Sequence, residues 1–104
     1  MIQIEVKRHK DTILAMQIKN HAGYDEKGKD LVCAGVSCIA IGALNAIDQN
    51  GDVCDLIMKE AYVSIDVKLP EDHDTQVMLE MLRIQLITMQ EAYPSYIQYC
   101  EQEV

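Results

Sequence analysis

Ala61-Tyr62-Val63-Ser64-Ile65-Asp66-Val67-Lys68-Leu69-Pro70-Glu71-Asp72-His73-Asp74 carries the change of period that decides the fold class. Val63, Ile65, Val67 and Leu69 alternate with Ser64, Asp66 and Lys68, the pattern of a strand with one buried face. Pro70 has no N–H to donate to a sheet ladder and ends the strand. Asp72 or Asp74 can then cap a helix that runs to about Ala92 and is stopped by Pro94. That helix carries Val77, Met78, Leu79, Met81, Leu82, Ile84, Leu86, Ile87 and Met89, with Gln76, Glu80, Arg83 and Gln90 as a polar stripe. A helix so apolar must be covered on more than one side. The chain has 104 residues, enough for one core but not for two. The second cover is therefore expected to be another copy, making a homodimer.

Upstream, Ile2-Gln3-Ile4-Glu5-Val6-Lys7-Arg8 alternates at period two, and His9-Lys10-Asp11 is short and polar enough for a hairpin turn. Thr12 to Lys19 reads as a second strand, with Ile13 and Ala15 one residue out of step with Met16 and Ile18. Asn20 to Asp30 holds two Gly and five charged residues, a surface loop. Leu31 to Gln49 reads as a helix capped by Asp30 and closed by Asn50-Gly51. It is rich in small residues, and Gly35 and Gly42 are expected to permit close approach of a neighbour. Asp52 to Lys59 reads as a further strand, and Ser95 to Val104 as an amphipathic or frayed tail. The result is a single α+β domain over residues 1–104 in the order ββαββα, an antiparallel-rich sheet packed by two long helices.

Composition narrows the function. Nine Lys and Arg face 17 Asp and Glu, a formal net charge of −8. Residues 1–19 carry +2, residues 20–69 carry −4 and residues 70–104 carry −6. A chain this acidic, with five Tyr but no Phe or Trp, lacks both the basic footprint and the stacking surfaces of a direct nucleic-acid binder. Its charge suits solubility or attraction of a basic partner. The longest uninterrupted apolar run is about four residues, well short of the ~20 needed to cross a bilayer, so no membrane span is expected. Met1 to Glu5 does not open like a signal peptide, and the cytoplasm is the expected compartment. Cys33, Cys38, Cys54 and Cys100 form no paired short spacing, which favours reduced thiols over a disulfide framework or a metal site.

Cys33 stands out by position. With Asp30 as N-cap it is the third residue of its helix, where unpaired backbone N–H groups and the positive end of the dipole stabilise a thiolate. His21, across the loop, can return to it as a base, and the first-turn N–H groups can receive an oxyanion. Position alone leaves inert packing as the more common fate of a cysteine.

The paired blocks His21-Ala22 and Asp30-Leu31-Val32-Cys33-Ala34-Gly35-Val36-Ser37 resemble the signature of the ribosomal-processing cysteine proteases, the Prp family. The resemblance extends over nearly the whole chain, including Tyr93-Pro94-Ser95-Tyr96-Ile97 at the close of the last helix. It implies an endopeptidase that removes the N-terminal extension of large-subunit ribosomal protein number twenty-seven, acting as a homodimer without cofactor or metal. Carried over by position, Cys33 is the nucleophile and His21 the base and proton donor, with Asp30 and Ser37 in support. The loop glycines Gly23 and Gly28 are read as hinges and Tyr24 as a substrate contact. Asn20 stands where the family usually has Gly, a position where a positive φ is useful. Outside the resemblance, the rival readings are a non-catalytic dimeric factor that binds a basic ribosomal protein or an assembling ribosome, and a dimeric scaffold whose Cys33 is merely packed.

Overall fold

Alternating side chains set the sheet, and one irregularity in that alternation tunes it. The computed structural model describes all 104 residues, with elements β1 (Ile2–His9), β2 (Thr12–Lys19), α1 (Leu31–Gln49), β3 (Cys54–Lys59), β4 (Tyr62–Val67), α2 (His73–Ala92) and β5 (Ile97–Glu103). The five strands form one mixed sheet in the order β3-β4-β2-β1-β5, antiparallel throughout except for the parallel β1–β5 pair. Ile2, Ile4, Val6, Met16, Ile18, Ile65 and Ile97 point from one face into a single core. Val32, Val36, Ala40, Leu44 and Ile47 of α1 and Leu79, Leu82 and Leu86 of α2 meet them there. Both helices thus lie on that face, and the opposite face of the sheet has no helix over it.

The last ten residues correct the expectation of a frayed tail: β5 is a strand, and the order is ββαββαβ. Its inward positions are Ile97, Tyr99 and Glu101, in register with Ile2, Ile4 and Val6. A charged residue at the third inward position breaks the alternation that would have revealed the strand. Glu101 is matched there: Arg8 donates at 2.9 Å, Arg83 at 2.7 Å and the Tyr99 hydroxyl at 2.7 Å. Desolvation pushes the Glu101 carboxyl upward, but these three donors and the Arg83 charge outweigh it and bring it down to about 2.

The residues out of step in β2 mark a bulge. Lys7 opposes Ala15 while Arg8 opposes Ile13, so Leu14 is an extra residue on the β2 side. The slip lets Ile13, Met16 and Ile18 all be buried. Gln76 of α2 serves the backbone of Ile13 on both sides, accepting from its N–H at 2.8 Å and donating to its carbonyl at 2.9 Å.

The two helices are tied end to start. Asn50, the C-cap of α1, donates to Asp72 at 3.0 Å and to Thr75 at 3.1 Å, and Asp72 is the N-cap of α2. Gly35 does allow a close approach, since a Cβ there would lie 2.7 Å from the Met89 side chain. Gly42 does not, because nothing lies within 4 Å of its Cβ position. Although no apolar run exceeds about four residues, α1, with its Ala, Gly, Ser and Cys, is long and apolar enough overall to cross a bilayer. Here its buried stripe is committed to the domain core.

Removing the Gln76 side chain leaves two backbone groups of Ile13 without partners. Gln76→Ala should lower stability by about 1–3 kcal/mol, and an unchanged urea midpoint would contradict this role. Glu101→Gln should cost about 1–2 kcal/mol near neutral pH. Because the folded-state pKa of Glu101 is depressed, its stabilisation is complete above the ordinary value of 4.5 and is lost as pH falls toward about 2. The midpoints of the two proteins should converge across that window, whereas a constant gap would mean that the charge is not what stabilises.

Candidate active site

The N-terminus of α1 and the loop before it are built around one carboxylate. Asp30 has extended backbone angles and caps the helix, accepting from the Cys33 N–H at 2.9 Å through Oδ1. Its other oxygen faces backward and accepts from the N–H groups of Tyr24 at 3.0 Å and Asp25 at 3.4 Å. Partial desolvation raises the Asp30 carboxyl, but the donors from Cys33, Tyr24 and Asp25 prevail and hold it below the ordinary aspartate value. The cap that starts the helix is therefore also the post that holds the loop.

That loop returns His21 to the helix end through anchors at alternate positions. The Asn20 N–H donates to the Ala61 carbonyl at 2.9 Å, in the tight turn of the β3–β4 hairpin. Asn20 has φ +76°, so asparagine occupies the left-handed conformation expected there. Ala22 is buried, and its N–H donates to Cys33 Sγ at 3.2 Å. Tyr24 is held by Asp30. Between these points His21 is exposed, and its ring makes no hydrogen bond of its own.

Cys33 is half-buried and faces a groove of about 870 Å³. The groove brings together most of the residues singled out from sequence: His21, Gly23, Gly28, Asp30, Cys33 and Ser37 all line it. Ala34 and Ile41 of α1 form one wall, and Ile18, Met58 and Val63 of the sheet form the other. Gly23 and Gly28 have φ of +70° and +90°, conformations that suit glycine. Lys27 reaches across to Glu60 at 3.3 Å, linking the loop to the β3–β4 hairpin. A thiol at a helix N-terminus, a nearby imidazole and an apolar trough are the parts needed for attack on a peptide carbonyl.

Tyr24 is placed elsewhere. Its ring is absent from the groove lining and packs edge-on against Tyr93 and Tyr96, with centroids 5.7 and 5.0 Å away. Sequence reasoning also missed the hairpin wall of Met58, Lys59 and Glu60, and the Ala22 N–H aimed at the thiol. Both arise from long-range contacts that leave no local pattern. The other thiols stand apart: Cys38 and Cys100 are exposed, and Cys54 packs against the core, where burial, reinforced by Asp55, pushes its thiol up.

Comparison with known proteins gives the family and the fold. A family model described as cysteine protease Prp matches residues 1–98. The ribosomal processing cysteine protease Prp of Mycoplasma pneumoniae is 32% identical over 104 residues, covering 98% of this chain and 96% of that protein. The Bacillus subtilis protein of the same name is 46% identical over 48 residues, or 45% of this chain, a match that spans 43% of that relative. Among solved structures, the Staphylococcus aureus protease Prp with a covalently linked product peptide shares the fold at a TM-score of 0.92 and 24% identity, covering 98% of this chain and 100% of that one. A Streptococcus mutans protein does so at 0.83 and 27%, covering 100% and 96%. By its sequence, its fold and the groove that joins His21 to Cys33, the chain belongs to the cysteine protease Prp family.

Proposed function

We propose that this chain is the endopeptidase that removes the N-terminal extension of large-subunit ribosomal protein number twenty-seven, with Cys33 as nucleophile and His21 as base and proton donor. The observation that carries the reading is the Ala22 N–H donating to Cys33 Sγ at 3.2 Å, in the same groove that His21 lines. That hydrogen bond holds the sulfur at the N-terminal end of α1. The S. aureus relative solved with a substrate peptide supports a peptide as the occupant of such a groove.

The Cys33 thiolate attacks the scissile carbonyl carbon, and the oxyanion that forms is met by N–H groups of the first helical turn. His21 gives its proton to the departing amine as the C–N bond breaks, leaving a thioester on Cys33. Water then attacks the thioester with His21 as base, releasing the new carboxylate and the thiol. Peptide enters when the segment from Asn20 to Lys29 swings about Gly23 and Gly28, and Lys27–Glu60 re-forms over it. Ser37 lies one turn beyond Cys33 and supports the groove floor.

Partner and compartment follow from the same reading. The acidic surface attracts the basic body of the ribosomal protein in the cytoplasm. A second copy covers the outer ridge of α2, where Val77, Met81 and Ile84 are each more than half exposed.

Incubating the chain with the extended ribosomal protein should yield two products of defined mass. Cys33→Ala should abolish the cut, and His21→Ala should slow it by roughly 10²–10⁴-fold. Cleavage by Cys33→Ala at the original rate would sink the mechanism, and tight binding without any cut would return the chain to the class of binding factors. Asp30→Asn separates the two duties of that residue. Its amide oxygen still caps α1, while its NH₂ cannot accept from Tyr24 and Asp25. The variant should keep its melting temperature within a few degrees yet cleave at least about tenfold more slowly. Full activity would show that the loop needs no post.

A further inference from the structure

We propose that Tyr24 is a positioning residue for His21, its ring clasping the loop to the corner between α2 and β5. The proposal rests on the reading of His21 and Cys33 as a catalytic pair and adds what keeps them together. His21 makes no hydrogen bond of its own, so its place depends on its neighbours in the chain. Gly23 at φ +70° sits directly after Ala22 and is open to motion. Beyond it, residues 24–29 are all exposed, and only two side chains there reach another element. One is Lys27, whose pair with Glu60 leaves the two side chains 88% and 72% exposed and is weak for that reason. The other is Tyr24.

The seat that Tyr24 occupies is rigid. Tyr93 caps α2, its N–H bonded to the Met89 carbonyl at 2.9 Å. The Tyr96 N–H bonds back to the Tyr93 carbonyl at 3.0 Å, and the Tyr96 carbonyl accepts from the Ile2 N–H at 2.9 Å. Both rings pack against the core. Tyr24 meets them edge-on, at interplanar angles of 80° and 77°, the arrangement aromatic quadrupoles favour. Its hydroxyl makes no hydrogen bond, so the ring itself is the holding element. Three of the chain's five tyrosines are spent on this contact. It lies outside the substrate groove, where a ring serving only to bind peptide would not sit.

The test compares Tyr24→Ala with Tyr24→Phe in steady-state cleavage and in amide hydrogen exchange. Tyr24→Ala should lower kcat about tenfold while KM stays within about twofold, and Tyr24→Phe should restore the original kcat. The Ala22 amide should exchange faster in Tyr24→Ala and as slowly as before in Tyr24→Phe, with the core amides of Ile4 and Leu82 unchanged. An effect confined to KM overturns the proposal, since it would make Tyr24 a substrate contact. Equal loss in both variants, or faster exchange throughout the chain, also overturns it. Failure of the unaltered chain to cut would instead defeat the underlying protease reading. It would be recognised because the Ala22 amide would still respond to Tyr24→Ala.

Discussion

The carboxylate of Asp30 divides its two oxygens between two structures that would otherwise be independent. One oxygen satisfies the Cys33 N–H and lets α1 begin where it does; the other accepts from Tyr24 and Asp25 and brings the preceding loop back onto the helix end. A helix terminus leaves its first N–H groups without partners, and here the Cys33 N–H is closed by the cap. The same cap therefore stands beside the Cys33 side chain, whose sulfur accepts the Ala22 N–H from the other end of the loop.

Around that post the domain is a rigid frame holding a lightly held segment. The frame consists of the sheet, both helices and the β5 return, locked by aliphatic packing and by polar ties at places the packing does not reach. Gln76 serves the β2 bulge, Asn50 joins the two helices, and Glu101 gathers Arg8, Arg83 and Tyr99 at the far edge. The absence of Phe and Trp fits this division. The core is built from Ile, Leu, Val, Ala and Met, and three tyrosines gather instead at the corner where the loop meets α2 and β5.

The sequence was most legible where one face of an element is buried and its caps are local. Both helices follow from Asp30 and Asn50, and from Asp72 and the Tyr93-Pro94 stop, and β4 from its alternation of Val63, Ile65 and Val67. The paired blocks around His21 and Cys33 led to the family, which the comparisons then established. Legibility failed where meaning depends on a distant partner. Glu101 made β5 look like a tail because its two arginines lie elsewhere in the chain, and Gly42 looked like a contact point although nothing approaches it.

Sequence by itself determined the class of the domain, the start and stop of α1, the stop of α2 and the family, because periodicity, capping and motif blocks are carried by short stretches of chain. Tertiary structure alone decided that β5 runs parallel beside β1, that the β3–β4 hairpin walls the groove, and that Ala22 points its N–H at Cys33. It also decided that Tyr24 faces Tyr93 and Tyr96 rather than the groove. All but the Ala22–Cys33 contact join residues far apart along the chain. Such contacts are settled by the packing of the whole core, and no local stretch of sequence records them.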